Sequence, residues 1–356
     1  MDEFGHDSSS DEFVRLVNVC LTVFSSLTYC YFISRNIPKG FPRLLSILPI
    51  IYIFTLIPLN LSSFHLTMTA GWFISWFASF KLVLFSFDKG PLSYDPPLVS
   101  SSSPSRMTFL RFHVIACLPI KVKQSNQSSV RTYMHWLHYY VLEGVCLGLV
   151  FYSYGYYKQH QDKQNFWIMN FLYLLYACSS SELTLVFYAT LVRLLFDIDV
   201  DPPYGNYFFL STSFQDFWGR RWNLAASDIL RSTVYEPVRH AIKRSWGVYI
   251  AILVTFFISG LMHELLIFCV FRKQPYWDVL LFFILHGICM AVEIKVKRSS
   301  NGKWQINQLL SILLMNGFLV CSCFWLLFPF FGRFKFPFMV IEDIANFTKL
   351  LNNVLS

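Results

Sequence analysis

The sequence predicts an all-α, polytopic membrane protein of about eight transmembrane helices, with re-entrant and interfacial helices between them. Three observations predict it. Hydrophobic residues make up 55% of the 356-residue chain and aromatic residues 19%, while charged residues amount to 14%. A soluble globule needs about 25% charged residues to cover its surface. Long apolar runs recur along the whole chain, and the charges cluster in the short stretches between them. Together these exclude a soluble enzyme, a disordered protein and a nucleic-acid-binding module. The net charge of +8 is then the signature of basic cytosolic loops rather than of a nucleic-acid surface.

Crossing the hydrocarbon as a helix takes about 20 mostly apolar residues. Lipid offers the backbone no hydrogen bonds, so spans must be helical, and the alternation expected of barrel strands is absent. The first run, 13–33, follows an acidic stretch (Asp2, Glu3, Asp7, Asp11, Glu12). That is unlike the basic start of a cleavable signal peptide, so the run is retained and residues 1–12 are expected to be disordered. Runs 43–61 and 66–87 follow, the latter carrying Lys81 near its cytosolic end. The stretch with Pro96-Pro97 and Ser100–Ser103 reads as a loop, Phe109–Pro119 as a piece too short to span, and 120–130 as polar loop. Runs 136–155 and 166–196 come next, the second holding Glu182 and Arg193 three turns apart. After a loop at 197–245, runs 246–271, 277–295 and 305–330 complete a single membrane unit over 1–356. No internal repeat is visible.

Basic residues concentrate in loops 34–42, 88–135, 197–245 and 296–304, which alternate with poorly charged ones. The positive-inside rule therefore places these four loops in the cytosol and both termini in the lumen. Arg272, Lys273, Arg333 and Lys335 run against the pattern. The nine cysteines lie mostly within apolar runs with no CxxC pair, so neither a disulfide framework nor a metal site is indicated.

Ionisable groups inside spans are costly and mark candidate sites. The sharpest is His263, within SGLMHELLIF, which shares a helical face with Thr255 and Ser259. A neutral imidazole there is suited to act as a general base; the plainer alternative is a buried histidine bonded to a neighbouring helix. Glu264 follows directly, but the second histidine of HExxH would fall at Ile267, which excludes a zincin. His286, Met290 and Glu293 make a stripe on the seventh run that could face His263. For this stripe, as for Lys81, Glu182 and Arg193, packing or ion pairing is the expected role.

The second constellation is SFQDFWGRRWN, Ser213–Asn223, in the long cytosolic loop. It combines Phe214, Phe217, Trp218 and Trp222 with Gln215, Asp216, Arg220, Arg221 and Asn223. One reading is an interfacial amphipathic helix drawn to anionic lipid. The other is a mouth that binds a phosphorylated cofactor, for which Arg is well suited.

At these blocks the chain resembles the plant wax synthase-like branch of the membrane-bound O-acyltransferase superfamily. The resemblance covers almost the whole chain: IPKG (37–40), FKLVLFSFDKGPLS (80–93), LPIK (118–121), SFQDFWGRRWN (213–223), YEP (235–237) and SGLMHE (259–264). It implies transfer of an acyl group from acyl-CoA, as co-substrate, to a lipid alcohol, with a sterol or diacylglycerol as alternative acceptor. It also implies no permanently bound cofactor or metal and a multi-pass place in the endoplasmic reticulum membrane; oligomeric state is left open. His263 matches the family's embedded catalytic histidine, and Asn223 its polar partner. Gln215, Asp216 and Trp218 fall at the acyl-CoA motif, with Arg220 and Arg221 beside them, although FQDFWG differs from the FYxDWWN of other branches. The non-enzyme alternative is a polytopic transporter with His263 in a proton relay.

Overall fold

The structure, a computed structural model, describes residues 9–94, 107–123, 137–160, 165–205, 207–300, 307–334, 339–340 and 343. Among them the chain is helical, with one isolated antiparallel bridge, Val122–Val200, in place of any sheet. Helix α1 is Ser9–Phe32 and α2 is Phe41–Leu56. Helix α3, Phe64–Ser86, is a composite whose middle, Gly71–Ala78, is π-helical. The short α4 is Phe109–Cys117; α5 is Leu137–Gln159 and α6 Phe166–Phe196. Helix α7 (Leu224–Leu230) precedes α8 (Gly247–Phe271), α9 (Asp278–Ser299) and α10, Gln308–Arg333, which has a π turn at Cys323–Leu327.

Seven of these helices are long and apolar enough to cross a membrane: α1, α2, α3, α6, α8, α9 and α10. The eighth expected span corresponds to α5, which has the length at 23 residues but is interrupted by Glu143 and a run of tyrosines. The acidic start, expected to be disordered through residue 12, is helical from Ser9. Both oxygens of Glu12 accept the Ser62 amide, and Oε1 also takes that of Ser63. A carboxylate holding orphan amide groups at a loop supplies the order that the composition alone does not signal.

Three apolar clusters organise the bundle. One joins α1, α2, the end of α3 and α4, around Leu27, Ile47, Phe54, Leu82 and Phe112. A second joins α5, α6, α8, α9 and α10. The third is small and lies between them: Trp76, Phe77 and Leu84 of α3 against Ala225, Ala226, Ile229 and Leu230 of α7. Leu309, Leu310, Leu313 and Leu314 of α10, like Phe13, Val14 and Leu21 of α1, point outward, which suits a lipid-facing surface.

The charged residues within the spans are bound into this frame. Lys81 is 2% exposed and donates to the Ile115 and Leu118 carbonyls at 2.7 and 2.6 Å. It satisfies the C-terminal carbonyls of α4, where a cation is favoured. Arg193 pairs with Asp199 at 2.9 Å. All nine cysteines are free, and no group of three potential metal ligands occurs among the described residues.

Candidate active site around His263

His263 sits just over two turns before the C-terminal end of α8, half-buried beneath aromatic rings. Its Nδ1 lies 2.6 Å from the Ser259 carbonyl oxygen. A carbonyl only accepts, so Nδ1 carries the proton and Nε2 keeps its lone pair. The Trp72 and Trp76 rings stand edge-on to the imidazole at 4.8 and 5.3 Å, and Phe283 of α9 lies at 4.4 Å. Both tryptophans belong to the π-helical part of α3. Such segments are rare and recur at functional sites, because the extra residue per turn re-aims side chains. Of the stripe read from the sequence, Thr255 bonds back to the Ala251 carbonyl, and Ser259 acts through its backbone.

The next residue holds the scaffold. The Glu264 carboxylate is 2% exposed, and its Oε1 accepts from the amides of Val279 and Leu280 at 3.1 Å each. It caps the N-terminus of α9, where orphan donors and the helix dipole favour an anion. Gly260, one turn before it, lets the two helices close: a Cβ there would lie 3.1 Å from the Leu280 Cα and 3.2 Å from the Phe283 Cβ. Phe283 reaches His263 for this reason.

The 213–223 segment folds onto α9 from outside the bundle. Ser213 caps a short turn by accepting the Asp216 amide, while the Phe214 amide donates to Glu293 Oε2 at 2.7 Å. A π turn at Phe217–Arg221 then swings Trp218 inward. Its indole N–H donates to His286 Nδ1 at 3.1 Å, and its ring packs between Phe256 and Phe283. The His286–Glu293 stripe therefore grips this segment rather than facing His263 directly. Asp216 and Arg221 form an ion pair at 2.9 Å, and Arg221 also donates to the Tyr207 carbonyl. Gly205 is needed where the loop passes underneath, because a Cβ would meet the Arg220 carbonyl oxygen at 2.3 Å. Gln215 and Arg220 are exposed.

Asn223 has a positive φ of 38°, a conformation that Asn tolerates better than most residues, and it starts α7. Its Oδ1 accepts the Ala226 amide at 3.0 Å, which leaves the side-chain NH2 as a donor. No hydrogen bond joins Asn223 to His263 among the described residues. The connection runs through packing: Trp76 shares an apolar cluster with α7, and its ring faces the imidazole. Below α7, Lys121 bridges Asp201 at 3.3 Å and Asp228 at 3.9 Å. Burial pushes the Asp228 carboxyl above its ordinary range, and Lys121 opposes that shift. Sequence reasoning missed Trp72, Trp76, Phe283 and the capping role of Glu264. Only the paired tryptophans of GWFISWF offered a signal, and the π geometry that aims them has none.

A bundle of apolar helices with an imidazole embedded beneath aromatic rings, beside an aromatic- and Arg-rich segment, is the architecture of a membrane-embedded protein with a candidate acid–base site. The comparisons name the group. The model of the "Membrane bound O-acyl transferase family" matches residues 201–285, which span the 213–223 segment, His263 and Phe283. The chain is 40% identical over 299 residues to probable long-chain-alcohol O-fatty-acyltransferase 1 of Arabidopsis thaliana, covering 81% of this chain and 83% of that one. It is 36% identical over 336 residues to the long-chain-alcohol O-fatty-acyltransferase of Simmondsia chinensis, covering 91% and 92%. The acyl-CoA–sterol O-acyltransferase 1 of Arabidopsis thaliana is 34% identical over 331 residues, covering 91% and 92%. The chain belongs to the membrane-bound O-acyltransferase family, in its wax synthase-like branch, and is an acyltransferase rather than a transporter.

Proposed function

We propose that the protein transfers the fatty acyl group of acyl-CoA to the hydroxyl of a long-chain alcohol, making a wax ester by direct attack in a ternary complex. The observation that carries this mechanism is the His263 tautomer: Nδ1–H is spent on the Ser259 carbonyl and Nε2 is bare, within a wall of Trp72, Trp76 and Phe283. Nε2 takes the proton of the alcohol as its oxygen attacks the thioester carbonyl. The tetrahedral intermediate expels the CoA thiolate, and the imidazolium returns the proton to sulfur. A thiol with a pKa of about 8.5 leaves readily, so no stronger acid is required. General-base catalysis of this kind contributes about 10²–10⁴-fold.

The free NH2 of Asn223 is our candidate donor to the oxyanion, a role worth about 3–4 kcal/mol in comparable sites. Arg220 and Gln215, exposed at the segment's outer face, are assigned to the CoA phosphates. Arg221, neutralised by Asp216, shapes the turn that presents them. The aromatic lining excludes water and so favours ester over hydrolysis. A long-chain alcohol is preferred as acceptor because relatives so named match over most of their length; the similarity to a sterol acyltransferase supports a sterol as the second reading. We place the enzyme in the endoplasmic reticulum membrane, with its basic loops and the acyl-CoA mouth in the cytosol.

The test is to supply membranes containing the protein with labelled acyl-CoA and, in parallel, fatty alcohols, sterols and diacylglycerol. Wax ester from wild type, and at least a tenfold loss in His263→Ala at equal protein level, is the expected result. Ester formation by a folded His263→Ala protein at more than a tenth of the wild-type rate would remove the base from this account.

A further inference from the structure

His286 is 0% exposed, lies on α9 one turn beyond Phe283, and takes no part in the chemistry above. Rings of Phe282 at 4.2 Å, Phe318 at 5.4 Å and Phe214 at 5.6 Å surround it. In such an apolar cage an imidazole is costly unless both nitrogens are bonded, and both are. The Trp218 indole N–H can only donate, so His286 Nδ1 is the acceptor and Nε2 bears the proton. That proton points to the Ser322 Oγ at 2.9 Å, and Ser322 in turn donates to the Leu319 carbonyl at 3.0 Å. The direction of every hydrogen bond is therefore fixed, from Trp218 through His286 and Ser322 to the backbone of α10.

Packing alone does not ask for this arrangement, since a phenylalanine would fill the cage without a polar atom to satisfy. What the chain achieves is orientation. It fixes the ring of Trp218, which lies 5.7 Å from Phe283, and Phe283 lies 4.4 Å from His263. Seven residues further along the same helix, Glu293 holds the Phe214 amide. Helix α9 thus grips the acyl-CoA segment at two points and turns one of its rings toward the base. Both ends of the chain lie at π turns, Phe217–Arg221 and Cys323–Leu327, where the backbone is bent to meet it.

We propose that His286, as the Nε2–H tautomer, is a positioning residue of acyl transfer: it aligns Trp218 and, through Phe283, the wall against which His263 and the thioester are held. This rests on the reading of the protein as an acyl-CoA-dependent acyltransferase with His263 as base. A displacement of about 1 Å at such a site costs on the order of 10²-fold in rate. The role predicts a loss in kcat more than in KM.

The experiment uses the full-length protein in detergent, assayed with acyl-CoA and a long-chain alcohol and checked for monodispersity by gel filtration. His286→Phe, which keeps the ring and removes both bonds, is expected to lower kcat about 10–100-fold while the acyl-CoA KM moves less than about threefold. Trp218→Phe should do the same, and the double variant should be no worse than the poorer single one by more than about twofold, since one chain is broken in each case. His286→Asn, whose side-chain oxygen can stand in for Nδ1, should recover at least about fivefold over His286→Phe. If His286→Phe does not survive gel filtration, Trp218→Phe carries the test: the same fall in kcat with little change in KM is expected, and a kcat within twofold of wild type would overturn the proposal. A kcat within twofold of wild type for His286→Phe, or multiplicative losses in the double variant, would overturn the proposal. Absence of ester from the wild-type protein would instead overturn the functional reading beneath it.

Discussion

Asn223 carries two functions on one side chain. Its Oδ1 caps α7, and its NH2 is the proposed oxyanion donor. Replacement by Ala removes both, and replacement by Asp removes only the second, because a carboxylate still caps a helix. We expect Asn223→Ala to lose about 1 kcal/mol of stability and roughly 10²–10³ in kcat. Asn223→Asp should keep the melting temperature and lose the rate. Equal activity in Asp and wild type would show the donor to be unnecessary. The two arginines beside it separate in a similar way. Arg220→Ala is expected to raise the acyl-CoA KM several-fold with no change in stability. Arg221→Ala breaks the pair with Asp216 and should loosen the segment, seen as faster proteolysis in the 205–223 loop. Sequence reading had treated the two as equivalent, because adjacency in RRWN says nothing about which guanidinium the turn folds inward. The His263 position was legible, since a lone imidazole in an apolar run is visible as a cost. Its tautomer was not, because that depends on a carbonyl four residues back.

At the level of elements, the α8–α9 pair is organised by groups that a composition scan reads as anomalies. Glu264 looks like half of a zinc motif, and the donors that satisfy it come from the start of another helix. Truncating it to Ala leaves the buried Val279 amide and the part-buried Leu280 amide without this partner, at about 1–3 kcal/mol for the buried one. We expect Glu264→Ala to lower the thermal midpoint in detergent by several degrees and to reduce activity through Phe283 and His263. Glu264→Gln, which still accepts, should retain most of both. A Glu264→Ala protein as stable as wild type would disprove the capping role. The apolar helices themselves were readable to within about four residues at either end, because apolar length is a local property. The π segments that aim Trp72, Trp76 and Trp218 were not, because an extra residue per turn is imposed by neighbours and leaves no mark in hydropathy.

For the whole molecule, the alternation of basic and poorly charged loops gives an orientation that chemistry can test. Ser245 and Gln274 are exposed just beyond opposite ends of α8. In a background lacking the exposed Cys20 and Cys321, Ser245→Cys should react with an impermeant thiol reagent on sealed microsomes. Gln274→Cys should react only after permeabilisation. The reverse would move the proposed acyl-CoA mouth to the lumen. The far end has its own tie: Asp343 accepts from Ser63 Oγ and the His65 amide at 3.0 Å each. Burial raises its carboxyl, and the bonds from His65 and Ser63 outweigh that and hold it below the ordinary range. The stabilisation is thus present above about pH 4 and lost as pH falls below it.

The cap of Glu264 on α9 also bears on how the protein is made. A helix leaving the translocon with a carboxylate in its span faces a penalty of up to about 2.5–3.5 kcal/mol, the cost of a charge at the helix centre. On α8 alone, Glu264 would meet this cost with no donor in reach. The amides that satisfy it belong to Val279 and Leu280, only 15 and 16 residues later, at the first turn of the next helix. Insertion of α8 and α9 as a hairpin settles the charge at once. The same event sets Phe283 against His263, so a nascent chain acquires the wall of its proposed base in the step that makes α8 acceptable to the bilayer.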